Sequence, residues 1–298
     1  MPGAPQIFDR KSIRTRRDRI AQASGGTSLP DFLLERVAED FADRLSLVRR
    51  NFPVAVSIGA YHGLLAERLR ALPAIGTIID VETSLASLGL ARGPKVVADD
   101  EALPFAAASL DLVVSGLSLH LVNDLPGALI QIGRALKPDG LFLGALLGGE
   151  TLKELREAWI LAEDEVLGGA SPRVAPFADV RELGGLLQRA GFALPVADND
   201  VIEVTYASPL ALMREIKAMA ASNPLTERRR TPVTRGLLLR AAEIYQERFG
   251  RPDGRVSATF EIVTLTGWAP DESQQKPLRP GSAQVSLKDV LKPRSKDL

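Results

Sequence analysis

Between residues 52 and 149, short apolar runs alternate with amphipathic stretches. The runs AVSI (55–58), GTIIDVE (76–82), PKVVAD (94–99), LDLVVSGL (110–117) and LFLGALLGG (141–149) are almost continuously hydrophobic. A half-exposed strand alternates and a strand covered on both faces does not, so the pattern predicts a parallel sheet between two helix layers. Helices are predicted over 63–71, 83–91 and 125–136. In the last of these, Leu125, Ala128, Leu129, Ile132 and Leu136 form one apolar face, and the KPDG run behind them is a stop signal. Upstream, Leu34, Val37, Ala38, Phe41, Leu45 and Val48 predict a helix capped by Ser28, with Pro30 and Asp31 in its first turn. Downstream, helices over 150–168 and 178–190 lead to a strand at VIEVTYAS (201–208). A helical stretch over 208–250 follows, then a closing strand at RVSATFEIVTLTGW (255–268) with Phe260 and Ile262 inward.

The sum is an α/β chain with a doubly wound, seven-stranded, mostly parallel sheet and a helical insertion before the last strand. The expected organisation is a basic arm and N-terminal helix (1–50), an α/β core (51–206), a helical lid (207–255), the last core strand (256–270) and an extended tail (271–298). In the arm, Ile7, Phe8, Ile13 and Ile20 are expected to pack while the arginines stay in water.

The chain has 37 basic and 37 acidic residues and no cysteine. Balanced charge gives no general attraction to nucleic acid, and only Arg228–Arg230 forms a compact basic cluster. Without cysteine there is no disulfide, thiolate metal site or thiol nucleophile. No apolar run is long enough to span a bilayer, so no transmembrane segment is expected. Asp9 and Asp18 in the Arg-rich arm count against an organellar transit peptide. A bacterial cytoplasmic protein, peripheral to the inner membrane at most, is the expectation.

In an open α/β sheet, ligands bind outside the carboxyl ends of the strands, near the switch point. Four stretches fall at that edge. The Gly59–Gly63 turn, with Gly59 and Gly63, lets backbone approach a ligand. Glu82 follows the second strand and could accept both hydroxyls of a ribose, with Asp80 as its competitor. Asp99 and Asp100, after the third strand, could read an adenine edge. Ser115 to His120 follow the fourth, and His120 is the best placed general base. His62 and His120, the only histidines, could also form a two-His-one-carboxylate iron site with Asp99 or Asp124.

The glycine turn, the acid after the second strand, DDEALPF (99–105), SLDLVVSGLSLH (109–120) and LKPDGLFL (136–143) resemble the class I S-adenosylmethionine-dependent methyltransferase superfamily. IFDRKSIRTRRDR, HLVNDLPGAL (120–129), GGETLKELR (148–156), ATFEIVTLTGWAP (258–270) and SQQKPLRPGSA (273–283) are similar to a narrower group. That group is the assembly-factor family of the mitochondrial NADH:ubiquinone oxidoreductase (complex I) and its bacterial relatives. The resemblance implies a last strand antiparallel to the rest and S-adenosylmethionine across the strand tips. It also implies a nascent complex I subunit as partner, with arginine hydroxylation as an alternative to methyl transfer. A malonyl-acyl-carrier-protein O-methyltransferase shares the general motifs. Two positions depart from the superfamily pattern. Ser57 stands where an acid is usual, keeping a hydrogen bond but no charge. Tyr61 stands within the glycine run, where its ring would stack on the cofactor or narrow the pocket.

Overall fold

The computed structural model describes residues 6–24 and 29–275. The Ser28 cap and most of the predicted tail lie outside them. The strands are β1 (Phe52–Ile58), β2 (Ile75–Glu82), β3 (Lys95–Val97), β4 (Leu110–Gly116), β5 (Leu136–Leu147), β6 (Ala193–Tyr206) and β7 (Val256–Trp268). They form one sheet in the order β3-β2-β1-β4-β5-β7-β6, with β7 antiparallel to both neighbours and the other pairs parallel. This is the expected doubly wound, seven-stranded architecture.

The helices are α1 (Arg10–Ser24), α2 (Phe32–Leu47), α3 (Leu64–Leu69), α4 (Leu85–Leu90), α5 (Leu125–Ala135), α6 (Lys153–Leu167), α7 (Val180–Arg189), α8 (Pro209–Ala218) and α9 (Arg235–Phe249). Side-chain caps fix several starts. Asp124 accepts from the Gly127 amide, and Asp179 with Glu182 forms a reciprocal capping box. One core packs α2, α3, α6 and α9 on the sheet through Phe41, Leu45, Leu69, Trp159 and Tyr245. The other packs α5 and α7 on the opposite face through Leu129, Ile132, Leu183, Leu187 and Phe192. The two-sided cover explains why β1, β4 and β5 read as unbroken apolar runs.

Two local expectations hold and one, the start of β6, is corrected. α5 ends at Ala135, just ahead of KPDG as expected. The chain passes straight from α5 into β5, and Asp139 (φ 60°) makes an irregularity where the register shifts between Leu110 and Leu112. β6 begins at Ala193, eight residues ahead of the predicted 201. It is the edge strand of the sheet and carries Asp198, Asn199 and Asp200 ahead of the predicted start, where polar residues are tolerated and leave no apolar signal. The helical stretch over 208–250 is a helix pair as expected, α8 and α9, separated after Ala218 by a break in which Ala220 takes φ 61°.

Phe41 is fully buried between α2 and the sheet. Phe41→Ala is expected to lower unfolding stability in urea by about 3–5 kcal/mol with little change in m-value, because the cavity cannot collapse between rigid layers.

Candidate active site

Strand order reverses between β1 and β4. β1 ends there in the turn Gly59-Ala60-Tyr61-His62-Gly63. Gly59 has φ +63°, and a Cβ on it would lie 2.1 Å from the Ser118 side chain. Glycine at this point admits the tip of β4. Tyr61 also has positive φ, 52°, which costs a non-glycine residue of order 1–3 kcal/mol. Three contacts hold it there. Its hydroxyl donates to Leu117 O (3.2 Å), its N–H donates to Glu82 Oε2 (3.0 Å), and the Arg17 guanidinium stacks 4.0 Å from its ring centroid.

Glu82 ends β2 and is fully buried. Arg17 Nη1 donates to both carboxylate oxygens at 2.9 Å. The Ser84 amide and Thr83 hydroxyl add bonds of 3.0 Å each to Oε1. Burial alone would lift the Glu82 pKa. Arg17 and the two amides outweigh it and hold the carboxylate below its usual value. Arg17 mirrors this: burial opposes its charge, and Glu82 first, then Tyr61 and Asp100, raise its pKa above normal. Asp80 lies two residues back in the strand. It takes Arg70 Nη2 at 2.8 Å, yet burial pushes it up to about 6. Asp80 therefore secures the end of α3 while Glu82 faces the turn.

Arg17 corrects the expectation that the arm's arginines stay in water. It is 3% exposed and shares the inward stripe of α1 with Ile13 and Ala21. Arg10, one face-repeat earlier, reaches Asp99 at 2.7 Å and Asp100 Oδ2 at 3.6 Å. Asp18 accepts from Ser84 Oγ at 2.6 Å. Arg10, Arg17 and Asp18 were not anticipated at the strand tips. The available signal was the i, i+4, i+8 spacing of Ile13, Arg17 and Ala21, since an arginine inside an apolar stripe needs a buried acid.

The other candidates divide. Asp100 is buried and receives Ser118 Oγ at 2.7 Å on Oδ2, and burial raises its pKa. Asp99 is 44% exposed and carries Arg10. Ser57 pairs in register with Asp80 and Val114, whereas Ser115 pairs with Ile58, so the two serines project from opposite faces of the sheet. The Oγ atoms of both, Asp100 Oδ1 and Arg17 Nη2 are buried without a hydrogen-bond partner. His120 sits in a 3₁₀ turn (Leu119–Leu121) after β4. Its Nδ1 accepts a long bond from the Leu147 N–H (3.5 Å), and its ring meets Phe177 edge-on at 5.4 Å. Enclosure by protein, with the Arg17 charge adding to it, pushes His120 down to about 3. His62 instead meets Asp31 at 3.1 Å. Among the described residues no group of three His, Asp or Glu side chains could hold a metal, so the iron triad is not assembled.

A cavity of about 440 Å³ opens beside these tips, bounded there by Arg17, Tyr61, Leu117 and His120. Glu82, Asp100, Ser57 and Ser115 are not on its walls.

A family model described as a methyltransferase domain matches residues 56–144, from β1 into β5. Over 291 residues the chain is 42% identical to the mitochondrial arginine-hydroxylase NDUFAF5 of Danio rerio, covering 96% of this chain and 90% of that protein. The chain belongs to the NDUFAF5 family, within the class I methyltransferase superfamily. It is also 32% identical over 301 residues to the malonyl-[acyl-carrier protein] O-methyltransferase of Halorhodospira halophila, covering 98% of this chain and 99% of that one. The solved structure of the [4+2]-cyclase SpnF superimposes with a TM-score of 0.54 at 15% identity, covering 91% of this chain and 99% of that one. At that identity the likeness speaks for the fold alone, and a fold does not set a reaction.

In this member of the NDUFAF5 family, Arg17→Met leaves a carboxylate buried without its cation. It is expected to cost about 3–5 kcal/mol in urea unfolding, and Arg17→Met with Glu82→Gln is expected to cost less than the single change. His120 should keep the NMR shifts of a neutral imidazole from pH 8 down to about 4, given its pKa of about 3. A histidine depressed in the folded state binds fewer protons than in the unfolded chain. Its contribution therefore lowers stability as pH falls below about 6.5, and His120→Gln should flatten that part of the pH–stability curve.

Proposed function

We propose that the chain binds S-adenosylmethionine across the tips of β1, β2 and β4 and directs methyl transfer to a nucleophile held in the adjoining cavity. The observation that carries this is the set of unpartnered buried polar atoms around the Glu82–Tyr61 junction: Ser57 Oγ, Asp100 Oδ1 and Arg17 Nη2. Such atoms are rare because each forfeits its hydration. Their donor and acceptor chemistry suits a nucleoside that reaches the tips, so the residues fit the group. When bound, it supplies an electrophilic methyl on a sulfonium centre.

The chain's own residues do the rest. Arg17 and the two carboxylate-bound amides already hold Glu82, so ribose hydroxyls can reach that carboxylate only as Arg17 yields an oxygen. Arg17 Nη2 remains free to bond the ligand. Ser57 offers a hydrogen bond without the charge an acid would give. His120 does not suit the role of base. With Nδ1 accepting from Leu147, the proton of the neutral ring sits on Nε2, which makes the ring a donor that orients a substrate. The walls align the reactants and exclude water.

A second reading is arginine hydroxylation on a nascent complex I subunit, with little methyl transfer. The 42% identity to the NDUFAF5 hydroxylase favours it. A malonyl-acyl-carrier-protein O-methyltransferase is supported at 32%. Calorimetry with S-adenosylmethionine and its demethylated product should give saturable binding, weakened about tenfold by Asp100→Asn through the lost hydrogen bond. No heat at millimolar ligand sinks the cofactor assignment. Mass spectrometry of a subunit captured from cells then separates the reactions, by the mass of a methyl group or of one oxygen.

A further inference from the structure

The groups that would receive a nucleoside are closed off in this structure. Glu82 and Asp100 are buried, and neither is on the walls of the cavity beside them. The cover is α1. Arg17 holds both oxygens of Glu82, and Arg10, two helical turns earlier, reaches Asp99 at 2.7 Å and Asp100 at 3.6 Å. Asp18 accepts from Ser84 Oγ at 2.6 Å, and the Arg17 carbonyl accepts from Ser87 Oγ at 3.4 Å. One helix thus engages the tip of β2, the residues after β3 and the start of α4.

The hold on α1 is mainly polar. Among the described residues, neither of the two cores that pack the sheet contains an α1 side chain. Ile13 is the one α1 residue in a small satellite cluster with Phe8, Ala175 and Leu225. Lifting α1 therefore exchanges hydrogen bonds and ion pairs for water and leaves both cores packed. A segment held in that way opens at lower free energy than the sheet. One edge of the helix is tied down separately. The Asp9 amide donates to Pro224 O at 2.9 Å, the Thr226 amide to Ile7 O at 2.8 Å, and Arg228 Nη2 to Asp9 Oδ2 at 2.9 Å. Arg16 binds the same segment through Ser222 O and Asn223 O.

We infer that α1 is a gate, hinged on the 222–228 segment and latched at Glu82, Asp99 and Ser84, and that S-adenosylmethionine enters and leaves only while the gate is lifted. Turning the Arg17 side chain alone leaves Arg10 on Asp99 and beside Asp100. Both arginines stand on one helix, so a single movement frees both tips, and closure returns Arg17 Nη2 to the ligand. This rests on the reading of the strand tips as the cofactor site and concerns how that site is opened.

The chain has no cysteine, so Asp18→Cys with Ser84→Cys, whose parent side chains touch, introduces the only pair able to form a disulfide. Binding of radiolabelled S-adenosylmethionine is followed by rapid filtration, and thiol titration reports the lock. Oxidised protein should take up cofactor about tenfold or more slower than the same protein reduced. Protein loaded first and oxidised afterwards should release it slower by a similar factor. Asp18→Ala loosens the latch without touching Glu82. It should raise the association rate of the otherwise native chain about tenfold, through loss of one charge-assisted bond from the closed state. If titration shows that no disulfide has formed, Asp18→Ala decides alone. Equal uptake by oxidised and reduced protein, or an unchanged rate in Asp18→Ala, overturns the gate, places entry on the cavity side of Arg17 and leaves the cofactor reading standing. No binding to wild-type, reduced or Asp18→Ala protein at millimolar cofactor removes the cofactor reading and the gate with it.

Discussion

Everything at the strand tips depends on one buried ion pair, Arg17 with Glu82. Each charge loses several kcal/mol of hydration on burial, and their attraction alone offsets this only with good geometry and further hydrogen bonds. Both conditions hold. One guanidinium nitrogen lies 2.9 Å from each oxygen, and amides from two segments complete the carboxylate. The net gain in stability from such a pair is small. What it fixes is position, because it joins α1 from the arm, the turn after β1, the end of β2 and the start of α4 at one point. The positive φ of Tyr61 is tolerable for the same reason, since its amide, its hydroxyl and its ring are each held by a different neighbour.

That arrangement sets how much could be read ahead of the structure. The strands β1, β2, β4 and the apolar part of β5 were legible because both faces are covered and their composition has no other use. Glu82 was legible as a tip residue because a strand that ends in an acid marks where the core stops. Arg17 was not. The arm's abundance of arginine reads as solvation, and only the helical phase that places Arg17 between Ile13 and Ala21 separates it from Arg14 and Arg19, which do not fall on that stripe. The first half of β6 was hidden because an edge strand needs only one partner, and its aspartates meet Arg36 and Arg44 of α2 rather than a core. KPDG stops α5 as its composition indicates and also forms the irregular entry to β5, where Lys137 meets Asp111 and Asp139 meets Arg50.

The same pair acts on the chemistry at a distance. The Arg17 charge adds to enclosure in keeping His120 neutral. A histidine that reads from sequence as a base at a strand tip sits, in its surroundings, as a neutral ring whose Nδ1 accepts from the Leu147 N–H. Burial is the larger cause of that neutrality, and the second is a cation delivered from a segment more than a hundred residues earlier in the chain.

Family membership and reaction separate along a physical boundary. The stretch that matches the methyltransferase domain, 56–144, supplies the strand tips with Glu82, Asp100 and the glycine turn. Most of the cavity wall comes from outside it, from α1, α2, α6, the 174–177 segment and α8. The platform that would hold a nucleoside and the chamber that would hold a substrate are thus encoded in different parts of the chain. They meet at Arg17 and Tyr61, where a cation from the arm lies on an aromatic ring from the turn. Changes in the outer segments can alter what enters the chamber without disturbing the platform. Relatives that carry the names of a hydroxylase and of an O-methyltransferase are therefore compatible with one sheet and one set of strand tips.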